Sequence, residues 1–315
     1  MTDTSDDDGP PPTDPAPDGG DPVDAPPADT GYGTGDAESA DPDSVGAESV
    51  GPVEVEDTDD DAPAVAVLVA IGLGVLGPAI ALVGGLGVSL LGAVVGGVSL
   101  AVNVVLTLIV GQYVAFGGLA VGYLAWRGFD RAGIVSYLGV RRPSLKELGL
   151  VVGGWVVIVI TLFVVSAIVQ LLGTETASNQ SAEVAMQNPA IIPLFIVAMF
   201  LVVGPSEEIL YRGVVQGRLR ESLPAAPAIA IASGIFALIH VMALTGGLSG
   251  RFTTVGILFF PSLVFGAVYE YTDNLVVPAL LHGLHNAVLF TILYISLVYG
   301  EELQRIAEGG AAVLW

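Results

Sequence analysis

From Ala62 to Trp126 the chain runs for 65 residues without a charged side chain, whereas a helix crosses the hydrocarbon core of a bilayer in about 20. Three crossings would leave almost nothing for turns. The run therefore predicts two long membrane helices, over about 64–87 and 101–126, joined by Gly-rich apolar chain, with a third crossing as the upper count. Further apolar runs over 148–172, from 190 to about 212, 226–244, 254–271 and 276–299 predict five more. The expected fold class is all-α, a polytopic transmembrane helical bundle of about 7–8 spans.

The polar connections orient this bundle. The 127–147 connection carries Arg127, Arg131, Arg141, Arg142 and Lys146, and short loops rich in Lys and Arg stay in the cytoplasm. The next connection, Gly173–Gln187, has neither residue and is expected outside. Arg212, Arg218 and Arg220 then mark a cytoplasmic end, the Gly-rich turn around Gly246–Arg251 an outer one, and Asp273-Asn274 an inner one. Seven spans put the N-terminus in the cytoplasm and Glu301–Trp315 outside. The protein is thus expected to be a multi-pass component of the cell membrane, in contact with lipid along most of its length.

Composition adds a second region. The chain has 315 residues, 53% hydrophobic, with a mean hydropathy of +0.74, too apolar for an ordinary soluble domain. The net charge of −22 is concentrated in residues 1–61, which hold 20 acidic and no basic residues and ten prolines. That leaves 12 acidic against 10 basic residues in 62–315, a net of −2. Residues 1–61 hold too little apolar surface to offset the entropy of ordering and read as a disordered acidic tail. The segment lacks the basic and apolar regions of a secretory signal and has no cation for nucleic acid or anionic lipid. No cysteine is present, so disulfides and thiolate metal sites are excluded.

The chemistry lies in the apolar part. Glu207 and Glu208 end a long apolar run, and ionisable groups at membrane depth are costly and usually functional. Glu208 and Arg212 stand four apart on one helix face and are expected to pair. Glu207 points about 100° away and has no counter-ion on its own helix. Pro205, just before them, has no N–H to give the helix and is expected to kink or interrupt it, freeing a carbonyl nearby. All three histidines fall in the last three apolar runs, as Phe236-x-x-x-His240 and His282-x-x-His285-Asn286. His282, His285 and Asn286 share an arc of about 100° on one helix face. At about 1.5 Å per residue, the depths of Glu207, His240 and His282 converge in the inner half of the bilayer. A carboxylate, imidazoles and a neutral amide are what attack of water on an amide requires: a base, a group that positions the water, and donors for the oxyanion.

These three motifs, in this order on three spans, resemble the CPBP family of intramembrane proteases, which includes CAAX prenyl proteases and bacteriocin-processing, immunity-associated members. Leu138-Gly139-Val140-Arg141-Arg142-Pro143 is similar to the family's lead-in, and the resemblance covers about residues 130–300. It implies about eight spans and peptide-bond hydrolysis near the cytoplasmic face of a membrane-associated, possibly CAAX-type, protein or peptide. Carried over, Glu207 is the base that activates water, and Glu208 and Arg212 complete its motif. His240 assists the water or binds a metal, and His282 and Asn286 serve as metal ligand or oxyanion donors. His285 lies outside the motif. Two mechanisms stay open: Zn²⁺ on a His₂Glu set of Glu207, His240 and His282, or metal-free water activated by glutamate. A proton-coupled transporter and a non-catalytic immunity protein are the alternative functions. No His-Glu-x-x-His or Gly-x-Ser-x-Gly occurs.

The orientation is tested by Ser144→Cys. An impermeant thiol reagent should label it only after the cell is opened, and labelling of intact cells would reverse the topology.

Overall fold

In the computed structural model, residues 63–313 are described, with side chains to 305; the acidic segment 1–61 lies outside them. Among the described residues, seven helices are long and apolar enough to cross a membrane. They are α1 (Pro63–Val94), α2 (Leu100–Trp126), α3 (Leu145–Leu171), α4 (Pro189–Arg220), α5 (Ala225–Ala243), α6 (Leu248–Thr272) and α7 (Val276–Arg305, continuing helically to Val313). The first apolar run therefore holds two spans, and the protein is an all-α integral membrane bundle. Two short helices, Arg131–Tyr137 and Gln180–Gln187, lie in the connections.

Several helices begin earlier or end later than the charge pattern predicts, because charged residues near a helix end serve as caps. Ser144 and Glu147 form a reciprocal capping box, so α3 starts before its first charges rather than after them. Arg251 is taken into the first turn of α6, where its Nε donates to the Gly246 carbonyl at 3.0 Å. Glu301 and Glu302 extend α7, the latter paired with Arg305.

α4 is the hub. It packs against α1, α2, α5 and α7, while α3 and α6 close the side next to α7. Leu73, Phe116, Leu210, Tyr211, Val214 and Phe236 fill the space among α1, α2, α4 and α5. Val151, Ile158, Phe265, Val277 and Leu281 fill that among α3, α6 and α7. On one side of the bundle, β1 (Ser178–Asn179) pairs antiparallel with β2 (Leu244–Thr245), so the α3–α4 connection is tied to the chain just after α5.

Pro205 does not interrupt α4. The helix instead changes pitch, running α-helically over Gly204–Glu208 between π-helical stretches at Met199–Val203 and Ile209–Gln216. The α-helical partner that Pro205 cannot bond is the carbonyl of Leu201, four residues earlier. The Tyr113 hydroxyl of α2 donates to that carbonyl. The freed carbonyl expected from the sequence thus becomes a tie between two spans.

Two glycines set close approaches. A Cβ on Gly204 would lie 2.7 Å from the Ala279 carbonyl oxygen and 3.1 Å from the Gly283 amide nitrogen, both backbone atoms of α7. Small residues allow membrane helices to meet backbone to backbone in this way. The contact brings Glu207 and Glu208, one turn on, beside His282. Gly139 has φ +62°, and a Cβ there would meet the Asp273 carbonyl at 2.4 Å. This docks the segment 138–143 on the α6–α7 turn, where Arg141 pairs with Glu147 at 2.5 Å and donates to the Thr272 carbonyl at 2.8 Å.

Since no rotamer can relieve a clash with backbone, Gly204→Ala should lower stability by about 1–3 kcal/mol, as overpacking does. Gly153→Ala, on an α3 surface with nothing within 4 Å, is the control. Unfolding midpoints in detergent that drop equally for both would refute the close crossing.

Candidate active site

The site is built on a buried ion pair. Arg212 and Glu208 are both without solvent exposure, and Arg212 Nε meets Glu208 Oε2 at 3.0 Å. The expected i,i+4 pair is therefore present. A guanidinium has five N–H donors and is always charged, so one carboxylate oxygen does not satisfy it. The remaining partners come from two other helices: Ser262 Oγ of α6 at 2.8 Å and Ser233 Oγ of α5 at 3.4 Å. The rings of Phe236 and Phe265 lie 5.2 and 6.0 Å from the guanidinium carbon, within cation–π range.

The second oxygen of Glu208 reaches α7. Glu208 Oε1 lies 2.8 Å from His282 Nδ1. A carboxylate paired with arginine can only accept, so Nδ1 carries the proton and the imidazole orientation is set. Phe265 stacks on the same ring, at 4.8 Å and an interplanar angle of 15°. Held from both sides, His282 directs Nε2 toward Glu207, whose Oε2 is 3.7 Å away. That separation exceeds a direct hydrogen bond. Glu207 is nearly buried, and its other oxygen accepts from Gln112 Nε2 of α2 at 3.0 Å. It thus has partners, although none on its own helix.

His240 closes α5. Its Nδ1 is 2.7 Å from the Phe236 carbonyl, which can only accept, so Nδ1 bears hydrogen and Nε2 is free of that contact. The His240 ring lies 4.6 Å from Phe236, which lies 5.8 Å from His282. Both imidazoles therefore pack on the same aromatic ring. Asn286 lies one turn beyond His282 on α7, half-buried, and among the described residues no hydrogen bond ties it to the carboxylates. His285 is buried on the same helix, outside this network.

Glu207, Glu208, Arg212 and His282 are thus brought into one connected network, with His240 adjoining it through Phe236. Among the described residues, no three His, Asp or Glu side chains are grouped closely enough to hold a metal ion. Glu207, His240 and His282 therefore do not form such a group in this arrangement, and no step below is derived through a metal.

Gln112, Ser206, Ser233, Ser262 and Phe265 were not read from the sequence as site residues. Gln112 had a signal: it is a long polar side chain inside the 65-residue uncharged run, and polar groups at that depth need partners. The serines had none, since Ser is common in apolar helices.

Seven membrane-length helices around a buried carboxylate–imidazole network define a multi-pass membrane protein with a buried polar centre. Residues 189–288 match the family model of the type II CAAX prenyl endopeptidase Rce1-like proteins. That stretch contains all three motifs, and over it the chain is similar to the CPBP/CAAX protease family. No curated protein and no solved structure matches the chain.

Glu208→Gln removes the counter-charge of a fully buried arginine, which should cost about 3–5 kcal/mol of stability. Ser262→Ala removes one hydrogen bond to a charged group, about 1.5–3 kcal/mol. Equal unfolding midpoints for wild type and Glu208→Gln would show that the pair is not an essential support.

Proposed function

We propose that the protein is an intramembrane endopeptidase that hydrolyses a peptide bond of a membrane-associated, CAAX-type protein or peptide. The observation that carries this reading is Glu207 Oε2 set 3.7 Å from His282 Nε2 while His282 is held by Glu208 at 2.8 Å. A water hydrogen-bonded between these two groups would meet a base on one side and an oriented imidazole on the other. Glu207 takes one proton as the water oxygen attacks the scissile carbonyl carbon. The same proton then passes to the amide nitrogen as the C–N bond breaks, leaving a carboxylic acid and an amine. One water is consumed and Glu207 returns to its starting form.

The developing oxyanion needs a donor, and the Asn286 amide on α7 is the candidate. His240, with Nδ1 hydrogen-bonded to a carbonyl, presents in its neutral form a lone pair at Nε2, which suits accepting a proton from water. Glu208 and Arg212 serve the reaction indirectly, by fixing the His282 ring. The family match supports the prenylated CAAX class of substrate, and the basic 127–147 connection supports a location in the cell membrane with the site toward the cytoplasmic half. Zinc held by Glu207, His240 and His282 would require these three side chains to come together.

The test is cleavage of an S-farnesylated CAAX-type peptide by the full chain in phospholipid vesicles. Glu207→Gln keeps the shape and loses the base, so the rate should fall by about 10²–10⁴-fold or more while the protein stays folded. Activity should survive exhaustive chelation, whereas its loss, restored by about one zinc per chain, would establish the metal-dependent route. A proton or solute flux that depends on Glu207, with no cleavage by wild type, would make the protein a transporter instead.

A further inference from the structure

The family match covers residues 189–288, yet the only hydrogen bond to the Glu207 carboxylate among the described residues comes from outside that stretch, from α2. There the helix widens into a π-helical segment over Ile109–Gly117, and such widenings are frequent at functional sites. Adjacent residues of this segment both reach α4. Tyr113 donates to the Leu201 carbonyl that Pro205 leaves free, and Gln112 Nε2 donates to Glu207 Oε1 at 3.0 Å. Gln112 Oε1 in turn lies 3.0 Å from Ser206 Oγ. Ser206 has one proton for Gln112 and for the Val202 carbonyl, so the contact with Glu207 is the firm end of the bridge.

We infer that Gln112 is the positioning residue for the general base, held on α4 by the wide turn of α2. This rests on the reading of Glu207 as that base. The last torsion of a glutamate is broad and two-fold, so the side chain alone does not choose which oxygen faces His282. A donor on Oε1 makes the two oxygens inequivalent and turns Oε2 toward His282 Nε2. A carboxylate can only accept, so the amide nitrogen must be the end that faces it. The neutral amide anchors the base without adding a charge that would compete with Arg212 for the site.

The experiment uses the full chain in phospholipid vesicles with the S-farnesylated CAAX-type peptide. Gln112→Met keeps length and volume but removes the donor; kcat should fall about tenfold or more, as for a hydrogen bond to a charged group, with KM within about twofold. A positioning role acts only through the Glu207 carboxylate. In a Glu207→Asp background, where the shortened side chain has already lost the contact, Gln112→Met should therefore bring no further loss, whereas a merely structural role would multiply the two losses. Should Gln112→Met fail to assemble, Gln112→Ala removes the donor without adding bulk or charge, and the same pattern is expected. Wild-type kcat in the Gln112 variants, or multiplying losses, overturns the inference and leaves the protease reading standing. Absence of any Glu207-dependent cleavage by wild type overturns both.

Discussion

An arginine and a glutamate enclosed between membrane helices impose the strongest constraint on this structure. Transfer of either charge from water is costly, and the attraction between them compensates only if their remaining hydrogen-bonding capacity is met. Glu208 and Arg212 lie on one helix and can find each other locally, but Arg212 has donors left over. These draw in Ser233 from α5 and Ser262 from α6, with Phe236 and Phe265 covering the guanidinium. The spare oxygen of Glu208 draws in His282 from α7. Satisfying one ion pair thereby sets the rotation of three helices around α4.

The two adjacent carboxylates acquire different tasks from the helix geometry that separates them. Neighbouring residues diverge by about 100°, so Glu208 faces Arg212 and the interior of the network while Glu207 faces α2 and the outer edge of His282. Glu208 is fully buried, with one oxygen on a guanidinium and the other on an imidazole. Glu207 keeps one oxygen directed at His282 Nε2, beyond direct bonding distance. The carboxylate that holds the imidazole and the one left beside its other nitrogen are consecutive in the chain and meet across the same ring.

This arrangement depends on a helix that departs from α geometry. Gly204 permits backbone contact with α7, and Pro205 surrenders a hydrogen bond that Tyr113 replaces from a neighbouring span. In lipid, each backbone group freed by a helix irregularity needs a partner inside the protein. The π-helical stretch Ile209–Gln216 lies where α4 is enclosed by other helices, and the irregularity at Pro205 itself binds α2 to α4.

The apolar run lengths, read alone, determined the all-α class and bounded the spans at seven or eight, because bilayer thickness converts directly into residue count; the structure decided that the first run holds two. Local spacing determined the Glu208–Arg212 pair, since residues four apart on a helix are neighbours whatever surrounds them. It also singled out Glu207, His240 and His282, whose rarity in apolar chain marks them. What Glu207 touches was decided only by the tertiary structure: Gln112 lies 95 positions away, and no periodicity connects them. The same holds for Ser233, Ser262 and Phe265, ordinary residues of apolar helices until an arginine and an imidazole are packed against them. That His282 and His240 both pack on the ring of Phe236 was likewise left to the tertiary structure, because depth along a helix can be counted from the chain while rotation and lateral distance arise only when the helices pack together.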